Sequence, residues 1–228
     1  MKAVRLFGFP LLLVSLFSVS IIPFQSCEPE EEDSICDTCN TCDTCLIAYK
    51  PNIYIYPEEK SQLTVNLNFP LGGMIVKSIP EYGKGWNINV DTNGLINGKY
   101  NYLFYESKQP YVWQENEGWI IKKADLSKFF NENMYSYGFR RNEILDFTDY
   151  WIPRLSDSEY YAIYPQEASI INRVIELKLS KEPDEMLRLF YVIQGVDTLN
   201  DKILKEPGDV KSIERNGYFV TEWGVVLK

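Results

Sequence analysis

Pro51-Asn52-Ile53-Tyr54-Ile55-Tyr56-Pro57 alternates isoleucine with tyrosine between two prolines. Because successive side chains of a strand point to opposite faces, this alternation predicts a strand with isoleucines on one face and tyrosines on the other. Pro57 is expected to end that strand, since proline donates no backbone hydrogen bond. The next segment, Leu63 to Phe69, alternates apolar residues with Thr and Asn, which predicts an antiparallel strand with one polar face.

Similar alternation continues through most of the chain. Further strands are predicted at residues 86–90, 100–106, 160–164, 175–179, 187–193 and 219–225, and residues 111–113 and 119–121 are expected to form a pair. Leu187 to Ile193 is apolar on both faces, which favours a central strand. Asn93-Gly94 and Asn97-Gly98 predict tight turns, because Asn and Gly adopt positive φ at little cost.

Two segments near the middle of the domain have helical spacing instead. The first carries Leu126, Phe129, Phe130 and Met134 on one face and is expected to end near Gly138. The second is expected to start with Asn142 as its N-cap and to stop before Pro153. Strands, two helices and more strands together predict an α+β fold. We expect a mostly antiparallel β sheet or sandwich with a two-helix insertion near the middle of the domain.

The N-terminal segment has the features of an export signal. Lys2 and Arg5 precede an apolar run, and Ser26 stands directly before Cys27. This arrangement resembles the lipobox of bacterial lipoproteins, in which the cysteine is acylated and becomes the new N-terminus. The acidic run from Glu28 to Asp33 resembles the signal that sorts some Gram-negative lipoproteins to the outer face of the outer membrane. An uncleaved N-terminal anchor and an ordinary signal peptide are the alternatives, and Phe24 favours them slightly because leucine is usual there.

A repeat of four cysteines follows, at Cys36, Cys39, Cys42 and Cys45. Four thiolates could hold one zinc ion or approach an iron–sulfur cluster, but the usual zinc spacing draws two pairs from separate loops. In an exported protein, a flexible acidic spacer that carries disulfides is the other interpretation. These observations divide the chain into a lipoprotein signal peptide (1–26), an acidic Cys-rich tether (27–47) and a single globular domain (48–228).

Charge and composition exclude several function classes. The net charge of −9 and the lack of a basic cluster argue against nucleic-acid binding. The chain contains no histidine, which excludes Ser-His-Asp and Cys-His catalysis and imidazole-ligated metals. No glycine-rich phosphate-binding motif is present, so nucleotide binding has no support either.

Two kinds of candidate site remain. Glu106 and Glu222 each stand beside a large aromatic residue and are weak candidates for a carboxylate pair such as glycosidases use, although a structural role is the stronger interpretation. Six aromatic residues could instead form a platform on which sugar rings stack, with core burial as the alternative. They are Tyr54, Tyr56, Tyr82, Trp86, Tyr111 and Trp113.

Several motifs in the same order resemble a family of uncharacterised bacterial secreted and surface proteins, which open with Lys-Pro-x-Ile-Tyr-x-Tyr-Pro. The matching segments are Lys50 to Pro57, Pro80-Glu81-Tyr82 with Gly85-Trp86, Tyr102 to Glu106, Tyr150 to Pro153, and Glu222-Trp223-Gly224. The resemblance implies that the domain starts near Tyr49, and it implies no catalytic residue.

The expected function is therefore a surface-exposed outer-membrane lipoprotein that binds or scaffolds a glycan or another envelope protein, without catalysis. A carboxylate-based glycan hydrolase is the first alternative. A thiol- or metal-binding envelope protein, acting through the cysteine repeat, is the second. We expect contact with the membrane through the lipid on Cys27 and no cofactor, with zinc at the cysteine repeat as the alternative.

Overall fold

The structure is a computed structural model, and it describes residues 45–197, 204–210 and 212–228. All of these residues belong to one compact unit. The expected signal peptide and the residues Cys27, Cys36, Cys39 and Cys42 lie outside the described residues. Within the described ranges, ten strands, two helices of three turns and a shorter third helix confirm the α+β prediction.

The strands and helices follow one another along the chain in this order. They are β1 (Cys45–Tyr56), β2 (Ser61–Asn68), β3 (Met74–Ile79), β4 (Trp86–Val90), β5 (Leu103–Pro110), β6 (Trp119–Lys122), α1 (Leu126–Tyr137), α2 (Arg141–Trp151), β7 (Tyr160–Glu167), α3 (Ala168–Val174), β8 (Glu176–Leu179), β9 (Glu185–Val196) and β10 (Phe219–Leu227). Short 3-10 turns stand before α1, at Lys123–Asp125, and after α2, at Ile152–Arg154.

Two sheets form from these strands. The larger one has seven strands in the order β3-β5-β1-β10-β9-β7-β6, and the smaller one has the order β4-β2-β8. Every neighbouring pair is antiparallel except β9 and β10, which run parallel. The prediction of a central strand at 187–193 is confirmed, because β9 lies inside the larger sheet between β10 and β7.

The larger sheet is covered on both faces. Ile53 and Ile55 of β1 belong to a core shared with the smaller sheet and α3. Tyr54 belongs to a second core shared with α1 and α2, and Tyr56 packs against that core. The isoleucine–tyrosine alternation therefore separates two hydrophobic cores, rather than a core from solvent. The molecule combines both expected arrangements, a sheet sandwich on one side and helices on the other.

The helices begin and end for local reasons. Leu126, Phe130 and Met134 are buried at four-residue spacing, and α1 ends at Gly138, whose φ of 108° suits glycine. At the start of α2, the Glu143 carboxylate accepts the backbone N–H of Arg140 at 2.7 Å. Arg140 is therefore the N-cap, and the prediction of Asn142 was wrong by two residues, because the acid at the third helical position caps the chain.

Some elements differ from the predictions. Residues 111–113 form no strand; β6 pairs with β7 instead, and the side chain of Gln166 binds both backbone groups of Gln114, at 2.9 and 2.8 Å. Strand β3 was not predicted, because this edge strand exposes Met74, Val76 and Ile79 and so has no buried face to mark it. Helix α3 was missed because seven residues are too few for a clear helical period.

Strand β1 is also longer than predicted. Its pairing with β5 begins at Cys45, three residues inside the segment assigned to the tether, and it continues through Pro51. Proline is tolerated in this inner strand because it lies in a bulge, where no ladder hydrogen bond is required of it.

Phe147 provides a test of the helix-side core. Its ring lies 4.8 Å from that of Phe130, 5.7 Å from that of Tyr191 and 5.2 Å from that of Trp223, so it joins α1 and α2 to the sheet. We expect Phe147→Ala to lower the free energy of unfolding by about 3–5 kcal/mol, since it leaves a cavity where four elements meet. Urea unfolding measures the change. Phe129→Ala, at a half-buried position on α1, is the control; an equal loss in both variants would contradict this account.

Candidate functional site

A bulge in β1 carries the residue around which the candidate site is built. Between Ala48 and Asn52 the register shifts against both neighbouring strands, because β1 has one residue more than its partners there. Lys50 lies in the bulge with φ of 57°, a left-handed conformation that few residues other than Gly and Asn adopt. Such strain persists only where the surrounding structure holds it, and it often occurs at functional positions.

The Lys50 side chain lines a pocket of about 350 Å³ that lies between β5, β3 and the end of α2. Three lysines and one carboxylate contribute the charged groups, and four aromatic rings and one isoleucine contribute apolar surface. The lining residues are Lys50, Lys77, Ile79, Lys99, Tyr100, Asn101, Tyr102, Phe104, Glu106 and Tyr150. We name it the Lys50 pocket.

Aromatic rings surround the Lys50 ammonium. Its Nζ lies 4.8 Å from the ring centre of Tyr102, 4.6 Å from that of Phe104 and 5.4 Å from that of Tyr150. The same nitrogen donates to the Tyr102 hydroxyl at 3.4 Å and to Asn52 Oδ1 at 3.3 Å. These contacts fix the position of the amine at the wall of the pocket.

A line of polar groups continues from Lys50 beneath α2. Asn52 is fully buried and donates through Nδ2 to the Tyr54 hydroxyl at 3.5 Å, which in turn donates to Asp146 Oδ2 at 2.9 Å. Asn52 and Tyr54 lie at alternate positions of the regular part of β1, so they share the face that α2 covers. The bulge brings the Lys50 side chain to the same side, where its Nζ lies over the Tyr150 ring of α2. The line therefore connects the pocket to a carboxylate of the helix.

Burial changes the protonation of the groups in this line. Removal of its ammonium from water lowers the pKa of Lys50 to about 8, although the carboxylates of Asp146 and Glu106 oppose the shift. Burial also raises the pKa of Asp146, while the Tyr54 hydroxyl and the Lys50 ammonium counteract that rise. The Lys50 amine is therefore closer to neutrality at physiological pH than an ordinary lysine.

Glu106 and Glu222 do not form the carboxylate pair considered from the sequence. Glu106 lines the Lys50 pocket, whereas Glu222 is fully buried on the opposite face of the sheet. Strand β5 shows that the two carboxylates lie on opposite faces. The Tyr105 hydroxyl donates to Glu222 Oε1 at 2.7 Å, so Tyr105 points to the same face as Glu222. Glu106 follows Tyr105 in the strand and therefore points to the other face. The pairing was wrong for this physical reason.

Glu222 is instead part of a buried ion pair. Arg188 Nε lies 2.5 Å from Glu222 Oε2, and both side chains are fully enclosed. The two residues are direct partners in the parallel pair of β9 and β10. Arg188 also donates to the side chain of Asn172 and, at 2.7 Å, to the carbonyl of Ile175. This network joins the central strands to α3 and the residue after it.

The six aromatic residues singled out from the sequence do not share one surface. Tyr54 and Tyr56 lie on the helix side of the sheet, where the Tyr56 hydroxyl donates to Glu143 at 2.7 Å. The other four lie on the opposite side. Tyr82 packs edge-on against Trp86 at 4.8 Å, Trp113 is buried against Phe190, and the Tyr111 hydroxyl binds Glu115. Because the rings lie on two sides of the sheet, and because Tyr54, Trp86 and Trp113 are buried in the cores, the six residues do not form one stacking platform.

Sequence reasoning missed Lys50 and the rings around it. Tyr102 and Phe104 stand at alternate positions beside Glu106, the one pocket residue that was proposed, so their shared face was readable. Nothing in the local pattern connects that face with Tyr150 or Lys50. Three of the segments that carry the family resemblance, however, contribute residues to this pocket.

The cysteine repeat is described only at its last member. Cys45 is disulfide-bonded, and a cysteine in a disulfide cannot also provide a thiolate to a metal. Among residues 45–197, 204–210 and 212–228, no group of three or more acidic, Cys or His side chains is arranged to hold a metal ion.

None of the helices in the described ranges combines the length and apolar composition needed to cross a bilayer.

Comparisons with protein-family models, with curated proteins and with solved structures gave no significant match.

The buried ion pair gives a second test. We expect Glu222→Gln to lower the free energy of unfolding by about 3–5 kcal/mol, because it leaves the Arg188 charge buried without a counter-charge. Glu106→Gln is the matched control and should cost less than about 1 kcal/mol, since that carboxylate is accessible from the pocket. Denaturant unfolding of both variants measures the difference. Equal, small losses would show that the pair contributes little to stability.

Proposed function

We propose that this chain is a surface-exposed lipoprotein of the outer membrane, and that it is a non-enzymatic binding module for a glycan that carries a carboxylate. The Lys50 pocket is the binding site in this proposal. The observation that carries it is the group of three lysines and four aromatic rings around one small cavity.

Charge favours an anionic ligand. The chain as a whole carries −9, yet Lys50, Lys77 and Lys99 outnumber the single carboxylate of Glu106 among the pocket residues. Arg154 adds a further cation nearby, stacked on the Tyr150 ring at 3.7 Å. A local positive surface on an acidic protein concentrates anions there and leaves the rest of the surface repulsive to them.

The neutral groups favour a sugar over a compact polyanion. Tyr100, Tyr102 and Tyr150 offer aromatic surface of the kind on which sugar rings pack. Glu106 and the Asn101 side chain can accept hydrogen bonds from hydroxyl groups, whereas Glu106 would repel a second or third phosphate charge. A volume of about 350 Å³ is at the small end of ligand pockets, which suits one terminal sugar unit.

Anchoring by Cys27 supports the location in this proposal, through the Ser26-Cys27 pair and the acidic residues behind it. We expect Cys27→Ser to abolish incorporation of radiolabelled fatty acid and to release the protein from the membrane fraction, because acyl chains supply the attachment. Cys36→Ser is the control and should leave both unchanged. Label that still enters the Cys27→Ser protein would contradict the lipoprotein assignment.

Ligand binding is tested with small probes. We expect isothermal titration to detect binding of methyl glucuronide, and little or no binding of methyl glucoside, which lacks the carboxylate. Lys77→Gln combined with Lys99→Gln should weaken binding tenfold or more, because a hydrogen bond to a charged group contributes about 1.5–3 kcal/mol. Lys128→Gln, at an exposed position on α1, is the matched control and should bind normally.

Inorganic phosphate is the competing probe in the same titration. If phosphate displaces methyl glucuronide at similar concentrations, the pocket selects charge alone and the glycan assignment is wrong. If methyl glucuronide and methyl glucoside bind equally, the lysines do not select an anion. Binding that survives loss of Lys77 and Lys99 places the ligand elsewhere on the protein.

A further inference from the structure

We propose that the Lys50 amine is a nucleophile that forms a reversible imine with the aldehyde of an open-chain acidic sugar bound in the Lys50 pocket. This inference rests on the proposed binding function and adds covalent capture to it. The capture is stoichiometric, and it needs no cofactor.

The first support is the position of the amine. The bulge and the left-handed backbone at Lys50 direct its side chain to the wall of an open pocket, and three aromatic rings keep it there. The eight ion pairs among the described residues do not include Lys50.

The second support is protonation. Desolvation lowers the pKa of Lys50 to about 8; Asp146 and Glu106 face it and oppose this shift, and Lys77 and Arg154 reinforce it. At pH 7.5 a pKa near 8 leaves roughly a quarter of the amine neutral, against about one part in a thousand for a lysine in water. Only the neutral amine attacks a carbonyl carbon, so the environment increases the reactive form more than a hundredfold.

The third support is a proton donor beside the amine. The Tyr102 hydroxyl lies 3.4 Å from Lys50 Nζ, and burial raises its pKa, so the phenol keeps its proton. The neutral nitrogen attacks the aldehyde carbon, the carbonyl oxygen takes a proton from the phenol, and the nitrogen returns one of its protons to the phenolate. The neutral carbinolamine then loses its hydroxyl group together with the remaining N–H proton as one water molecule, which leaves a carbon–nitrogen double bond to Lys50. Lys77 and Lys99 remain available to hold the sugar carboxylate.

Glyoxylate tests this chemistry, because it joins an aldehyde to a carboxylate in one small probe. The purified protein is incubated with glyoxylate and cyanoborohydride at pH 7.5, which converts an imine to a stable carboxymethyl group, and peptides are analysed by mass spectrometry. We expect Lys50 to be modified at least tenfold faster than any other lysine. Lys50→Arg should remove that adduct while keeping the positive charge. Tyr102→Phe should slow its formation severalfold, because the ring remains while the proton donor is removed.

The pH profile separates a reactive amine from an accessible one. The rate at Lys50 is divided by the rate for Nα-acetyl-lysine in the same tube, which cancels the effect of pH on the reductant. We expect this ratio to fall more than tenfold from pH 7 to pH 10, because Lys50 is already neutral where the free amine still gains reactivity. A constant ratio, or modification spread evenly over the lysines, would overturn the inference.

Methyl glucuronide distinguishes this inference from the proposed function, since its ring cannot open to an aldehyde. If it binds the pocket and Lys50 gives no preferred adduct, the binding function stands and the covalent step is wrong. If Lys50 reacts selectively and methyl glucuronide does not bind, the reactive amine stands and the glycan assignment is wrong. Lys50→Asn provides a second variant that suits the left-handed backbone, and it should fold normally and lose the adduct.

Discussion

The larger sheet is buried on both faces, and this constraint determines most of what its central strands contain. The buried residues of β1, β9 and β10 must each suit one of two cores, so strict alternation of polar and apolar residues is not possible there. A charged side chain in the buried middle of such a strand has no route to water. Glu222 is therefore enclosed with Arg188 and Tyr105, and the ion pair is tolerated because each oxygen of the carboxylate has a hydrogen-bond partner.

On the helix side, the same constraint requires partners for buried phenols. The Tyr54 and Tyr56 hydroxyls donate to Asp146 and Glu143, which lie three residues apart on one face of α2. Arg215 then pairs with Glu143 through both of its terminal nitrogens, at 3.0 and 2.6 Å. The polar line under α2 thus follows from tyrosines in a strand that has no exposed face, and Lys50 lies at its outer end.

Two buried or half-buried cations are accommodated in different ways. Arg188 is neutralised by a carboxylate and has a structural role, whereas Lys50 is held by rings and faces an open cavity. An ammonium over aromatic rings is stabilised without losing its access to a ligand. This difference in surroundings, rather than the type of residue, makes Lys50 the chemical centre of the proposed site.

The sequence by itself determined the class of fold, because strand and helix periods are local properties that neighbouring residues reveal. Residues 61–68, 86–90 and 126–137 were readable in this way, as were the turns at Gly94 and Gly98. The tertiary structure alone decided which face each strand presents and which strands are neighbours. The tertiary structure places Glu106 and Glu222 on opposite faces of the sheet. It also brings Lys50, Tyr102 and Tyr150 together from positions up to a hundred residues apart. The local sequence pattern cannot reveal these contacts, because they depend on the pairing of β1 with β5 and on the packing of α2 across both strands.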